Sequence, residues 1–253
     1  MPAINWDTKL YKEQHQFVSD YGVDVLQWLD PQAGEHILEI GCGTGDLAHK
    51  IHATKATLIG VDASADMVAS AKQKYPMIQF EQKDAVQLDY QNKFDAVFSN
   101  ATFHWIENQT GLLNGIYSSL VTGGRLVAEF GGKGNIQSIV DAIASAAVQL
   151  GVRNRIKTDF WFFPSIGQYA TMLESAGFET EQMWLFDRPT KLVGADGMLK
   201  WIHQFAPHAF VQLSAEEASA VTNLAIERLK PDYFKNGEWV ADYKRLRIKA
   251  VKK

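Results

Sequence analysis

Short, nearly unbroken apolar runs alternate along this chain with longer stretches of helical spacing. The runs cover residues 37–40, 57–62, 78–81, 94–100 and 125–130. Between them, residues 46–52, 64–75 and 112–120 place apolar side chains on one face of a helix. Ser64 stands where a helix is capped and Pro76 where it must stop. Strands buried on both faces read as continuous apolar runs, and strand–helix alternation predicts right-handed crossovers and a parallel sheet.

The flanks carry weaker patterns. Residues 7–30 read as helical, capped by Asp7, interrupted at Gly22 and stopped by Pro31 and Gly34. Further helices are expected over 136–150, 166–176 (capped by Ser165, closed by Gly177) and, as an inserted pair, 194–205 and 214–229. Residues 178–186 read as a sixth strand. The tail, residues 243–251, alternates basic and apolar side chains, the period of a final strand with its basic face in solvent. A helix throughout 239–251 is the competing reading.

Chemistry concentrates after the first strand, in Gly41-Cys42-Gly43-Thr44-Gly45. Small residues there let the backbone take positive φ and approach a ligand closely, and the following helix points its positive end at the same place. Companions stand at the ends of the other strands. Asp62 closes the second, about twenty residues on, where a carboxylate accepts from both ribose hydroxyls. Asp84 follows the third, within reach of an adenine amino group, and Asn100 closes the fourth. The glycine spacing is Gly-x-Gly-x-Gly, not the Gly-x-Gly-x-x-Gly of dinucleotide sites, and Glu39 precedes it. A carboxylate there repels a pyrophosphate and favours a cationic amino acid moiety. The pattern points to an adenosyl ligand carrying an ammonium and a sulfonium.

Composition narrows the classes. The 253 residues, 46% hydrophobic and 21% charged, fit a globular chain with room for one large domain and a cap. A net charge of −4 argues against a nucleic-acid platform. Cys42 is the single cysteine, which excludes an internal disulfide and a cysteine-based metal cluster. No basic-then-apolar leader opens the sequence and no run reaches about 18 apolar residues. The expectation is a cytoplasmic protein, monomer or homodimer, with a small-molecule partner, no nucleic acid, no membrane and no metal. Seven Trp, eight Tyr and fourteen Phe exceed what a minimal core needs, so some rings are candidates for a pocket wall.

Residues 37–45 resemble the first motif of the class I S-adenosylmethionine-dependent methyltransferases. Val61-Asp62-Ala63-Ser64, Lys83-Asp84-Ala85 and residues 94–100 resemble the next three. The segment Asn100-Ala101-Thr102-Phe103-His104-Trp105, with Trp6-Asp7-x-x-x-Tyr11, is similar to the trans-aconitate methyltransferase branch. The resemblance implies an α/β, Rossmann-like fold: a seven-stranded, mostly parallel sheet of order 3-2-1-4-5-7-6 with the last strand antiparallel, helices on both faces and a small helical cap. It divides the chain into an N-terminal lid (1–30), a cofactor core (35–132), a substrate-side cap (133–237) and a final strand (238–253).

S-adenosyl-L-methionine is the implied cofactor, with S-adenosyl-L-homocysteine as product. Glu39, Gly41 and Gly43 would hold the methionine part, with Asp46 reaching its amino group through water. Asp62 would take the ribose, Ala63 and Met67 the adenine face, Asp84 and Ala85 its edge, and Asn100 the amino group. His104 and Trp105 would stand near the transferred methyl. His104 is the candidate catalytic base, because its ordinary pKa lies near neutrality. Tyr11, Trp105 and Arg188 are the candidate substrate residues. The expected reaction is O-methylation of a small carboxylate, with an acyl-carrier-bound acid or a non-catalytic binder as alternatives. A carboxylate acceptor needs a cationic clamp, for which Arg153, Arg155, Lys133 and Arg188 are the candidates.

Overall fold

The computed structural model describes residues 24–253. Tyr11 and most of the expected leading helix therefore lie outside the described residues; positions 24–29 are helical. The core follows as β1 (His36–Ile40), α1 (Asp46–His52), β2 (Thr57–Asp62), α2 (Ala65–Lys74), β3 (Gln79–Gln82) and β4 (Phe94–Asn100). Then come α3 (Gln109–Ser119), β5 (Leu120–Gly131), α4 (Gln137–Gln149), α5 (Ile166–Ser175) and β6 (Phe178–Asp187). The chain closes with β7 (Thr190–Leu192), α6 (Gly197–Phe205), α7 (Ala215–Tyr233), β8 (Phe234–Lys235), β9 (Glu238–Ala241) and β10 (Lys244–Lys252).

Seven strands form one sheet in the order β3-β2-β1-β4-β5-β10-β6. Pairings among the first five are parallel, and β10 runs antiparallel to both β5 and β6. This is the expected order, with the C-terminal strand as the reversed one. Strand alternation divides the apolar runs between two faces. Ile37, Ala96, Phe98 and Val127 pack with Leu47, Ile51, Val68 and Ala71 of α1 and α2. Leu38, Val97, Leu126 and Ala128 pack with Leu112, Ile116, Tyr169 and Leu173 of α3 and α5. The α2 cap is the Ser64 hydroxyl accepting from Met67 N, and Ser165 with Gln168 completes a capping box on α5.

A separate apolar cluster lies beyond the sheet. It joins Ile139 and Ile143 of α4, Trp201 and Phe205 of α6, and Val221 and Ala225 of α7 to Trp239. The helical pair appears where expected, but the segment also holds a three-stranded sheet, β7-β9-β8, that the periodicity does not reveal. Strands this short offer too few alternations to read. One local signal was available: Asn236 and Gly237 both take positive φ, 54° and 81°, the two-residue hairpin turn that joins β8 to β9.

The basic face of β10 is not in solvent. Arg245 and Arg247 are 7% and 4% exposed. Arg247 donates to Glu129 of β5 and its guanidinium lies 5.4 Å from the Trp28 ring, so segment 24–29 covers this face. Among the described residues no helix is long and apolar enough to cross a membrane.

Candidate active site

Parallel strands deliver their carboxyl ends to one edge, and there a cavity of about 640 Å³ opens between the sheet and the cap. One half is lined by Gly41, Gly43, Asp62, Ala63, Met67, Asp84, Ala85 and Asn100. These are the cofactor residues expected from the strand ends, except for Glu39 and Asp46.

The glycine loop is tied to the end of β2. Gly41 N and Cys42 N both donate to Val61 O, at 2.8 and 3.1 Å, and Gly43 N donates to Asp62 Oδ2 at 2.9 Å. Gly41 has φ +73°, and a Cβ there would stand 1.9 Å from the Thr102 hydroxyl, so the turn requires glycine twice over. The amides expected to reach a ligand are thus spent inside the fold, and no phosphate cradle remains at Gly41–Gly43. Asp62 also accepts from Ser64 N at 2.9 Å. Burial raises its pKa against the lowering effect of these two bonds.

Glu39 is buried on β1 behind the loop, 2% exposed, and its Oε2 has no hydrogen-bond partner. Burial, with the charges of Asp62 and Asp46 adding, pushes its pKa up to about 8. Asp46 does not line the cavity. Its carboxylate accepts from Thr44 Oγ1 at 2.7 Å, from the Tyr75 hydroxyl at 2.9 Å and from Lys74. It fastens α1 to α2. Asp84 caps a turn by accepting from Val86 N at 3.0 Å, and still borders the cavity.

This half fits an adenosyl amino acid. Acids at two strand ends suit hydroxyl and amino donors, and an orphaned buried carboxyl oxygen suits an ammonium. The same set repels a pyrophosphate.

The other half is aromatic. After β4, Ala101 takes φ +59° and a short turn, Phe103–Trp105, presents His104 and Trp105 to the cavity. Trp161, Phe163, Trp201, Phe205 and Tyr243 complete the wall. Trp105 lies 6.0 Å from Trp161 and 6.4 Å from Phe205, at once wall and packing. The loop carrying Trp161 is anchored by Phe162 N donating to His104 O at 2.9 Å.

His104 departs from the role of base. Its Nδ1 accepts a hydrogen bond from Gly131 N at 3.2 Å. A nitrogen that accepts carries no proton, so the neutral ring carries its proton on Nε2. Burial, with Arg245 nearby, lowers its pKa well below the usual histidine value. His104 is therefore a neutral hydrogen-bond donor with no free lone pair on Nε2.

None of the four expected clamp residues lines the cavity. Arg188 is buried and grips both oxygens of Glu129. Arg155 pairs with Glu217, Arg153 donates to Ile156 O at 3.1 Å, and Lys133 is exposed. The guanidinium that does border the aromatic half is Arg245. Register could have placed it: Arg245 stands opposite Gly131, which is bonded to His104. Sequence periodicity alone assigns it to solvent, because what covers it is distant in the chain.

A switch-point cavity with acids at the strand ends and a glycine turn tied to the second strand defines a nucleoside-binding transferase of the Rossmann-like kind. Comparison with known proteins agrees. The methyltransferase-domain family matches residues 37–124. An uncharacterized methyltransferase, C70.08c of Schizosaccharomyces pombe, is 33% identical over the whole of both chains. The trans-aconitate 2-methyltransferase of Methylobacterium nodulans is 25% identical over 85% of each chain. Among solved structures, phosphoethanolamine N-methyltransferase 2 of Haemonchus contortus, in complex with S-adenosylhomocysteine, superposes with a TM-score of 0.56 at 20% identity, covering 92% of this chain and 52% of that one. The chain belongs to the class I S-adenosylmethionine-dependent methyltransferases and is an enzyme of that family.

Proposed function

We propose that this enzyme methylates a carboxylate oxygen of a small-molecule acid, giving a methyl ester. The observation that carries the reading is the buried guanidinium of Arg245, which borders the aromatic half of a cavity whose wall also carries Asp62, Asp84, Lys83 and Glu107.

S-adenosylmethionine, when bound, supplies a methyl group already activated by the sulfonium. The chain's own task is then positioning and exclusion of water. Asp62 would accept from the ribose hydroxyls, Asp84 from the adenine amino group, and Glu39, buried behind the glycine loop, would supply the counter-charge for the amino group. Ala63, Met67 and Ala85 enclose the base, and Asn100 stands between the two halves. Trp105, Trp161 and Phe163 keep water from the acceptor. A carboxylate is anionic at neutral pH, so attack needs no general base. That matches a His104 which donates at Nε2 and cannot take a proton there. A hydroxyl or carbon acid would need a general base, a role that His104 with its Nδ1 engaged does not fill.

Incubation with methyl-labelled S-adenosylmethionine and a panel of small acids, followed by mass spectrometry, tests the reading. The expected product is a base-labile methyl ester with equimolar S-adenosylhomocysteine. Label found only on nitrogen, carbon or a phenol would overturn it.

A further inference from the structure

The turn that carries His104 and Trp105 is held from behind by a buried amide. Gln109 opens α3 and is 3% exposed, an unusual depth for a glutamine. Its Nε2 donates to Phe103 O at 2.8 Å and to Ile106 O at 2.6 Å. Its Oε1 accepts from the Tyr169 hydroxyl of α5 at 3.3 Å. Burial raises the pKa of that hydroxyl, so it keeps its proton and donates. Both donors and the acceptor of the side chain are engaged, which is what burying an amide requires. The turn's own backbone bonds run from Trp105 N to Thr102 O and from Ile106 N to Phe103 O, at 3.0 and 3.1 Å. One amide group thus clamps the two ends of a turn that has little else to hold its shape.

The clamp reaches further along the wall through the same few residues. His104 O accepts from Phe162 N at 2.9 Å, so the loop bearing Trp161 and Phe163 hangs on the turn. The Tyr169 ring lies 4.8 Å from Phe130 of β5 and 6.3 Å from Phe162 of that loop. Phe130 precedes Gly131, whose N–H holds the His104 ring. Gln109 does not itself line the cavity, whereas Ile106, Glu107 and Asn108 before it do. Its side chain acts at one remove, through backbone carbonyls, on groups that border the aromatic half. Position matters there because methyl transfer needs near-attack geometry, and a displacement of about 1 Å is costly.

We propose that Gln109, held by Tyr169, is a positioning residue for methyl transfer: it fixes the turn over 103–106 and, through it, the His104 ring and the loop over 161–163. The inference stands on the reaction of the family, whichever group accepts the methyl.

Two variants test it, both with S-adenosylhomocysteine bound. Gln109→Leu keeps the approximate size and loses all three bonds; Tyr169→Phe loses one. Amide hydrogen exchange read by NMR should be at least about tenfold faster at Phe162 N–H and Gly131 N–H in Gln109→Leu, with the amides of β1 and β2 within about twofold of the wild type. The 15N signals of the His104 ring, which in the wild type report a proton on Nε2 alone, should move toward a mixture of tautomers. Tyr169→Phe should move the same signals less, and should add nothing in the Gln109→Leu background. For an acid accepted in the panel above, Gln109→Leu should raise the KM of the acid and leave the KM of S-adenosylmethionine unchanged. Faster exchange spread evenly over the sheet would reduce Gln109 to a contributor to stability and overturn the inference. Unchanged Phe162 and His104 signals would overturn it as well. Should Gln109→Leu not fold, Tyr169→Phe decides by the same two signals.

Discussion

The backbone N–H of Gly131, at the end of β5, donates to Nδ1 of His104 across 3.2 Å. That bond fixes the tautomer of a ring in the aromatic half of the cavity, and makes it a donor. It also has a consequence for stability. The folded chain resists protonating His104, while the unfolded chain takes the proton below about pH 6.5. The contribution of the neutral ring is complete above that pH. It is lost at about 1.4 kcal/mol per unit as pH falls from there toward the lower folded value. Urea midpoints at about pH 7.5 and about pH 5.5 should fall further in the wild type than in His104→Asn, whose amide oxygen can still accept from Gly131. Equal losses would show that His104 is free to protonate in the folded state.

Glu39 behaves in the opposite sense. Its folded pKa of about 8 stands above the ordinary 4.5, so the folded chain keeps a proton that the unfolded chain has released. Stability from this group is complete below about pH 4.5 and is lost as pH rises toward 8. An ammonium placed against the orphaned Oε2 reverses the balance by favouring the charged form. Binding of S-adenosylhomocysteine near pH 7 should therefore release a proton. Calorimetry in buffers of different ionisation enthalpy reads the number directly, and Glu39→Gln should abolish the release. A buffer-independent heat in the wild type would remove Glu39 from the amino acid subsite.

Asp62 does two jobs at once. It accepts from Gly43 N and Ser64 N, and it lines the cavity. Asp62→Ala should weaken S-adenosylmethionine binding at least about tenfold, a loss of about 1.4 kcal/mol or more. Equilibrium dialysis measures it, and circular dichroism checks that the sheet persists. An unchanged affinity would take Asp62 out of the site.

Glu129 anchors a buried charge cluster. Its carboxylate is 2% exposed and holds both Arg188 and Arg247, the latter at 2.7 and 2.8 Å. Removing the acid takes away the buried carboxylate that Arg188 and Arg247 share. Glu129→Ala should cost about 3–5 kcal/mol in urea unfolding. A loss below about 1 kcal/mol would mean that water reaches the cluster.

Much of the core was legible because its signals are local. Apolar runs such as residues 57–62, the Ser64 and Ser165 caps and the stop at Pro76 all act within a few residues. The strand ends converge for a topological reason, so Asp62, Asp84 and Asn100 meet without any contact needing to be read from the sequence. The chain beyond β5 was harder. Arg245 and Arg188 carry the same charge and stand in similar company along the chain. One borders the cavity and the other is bound to Glu129, and only the pairing of β10 with β5 separates them.

The sequence by itself determined the order of strands and helices through β6, the glycine turn and the acids at the strand ends, because period, capping and turn chemistry are properties of neighbouring residues. Tertiary structure decided what each polar group faces. It buried the basic stripe of β10, spent the loop amides on Val61 and Asp62, turned His104 from base to donor and brought Arg245 among the aromatic rings. Those outcomes depend on which distant segments cover a surface, and on the desolvation and hydrogen bonds that follow. No local pattern encodes them.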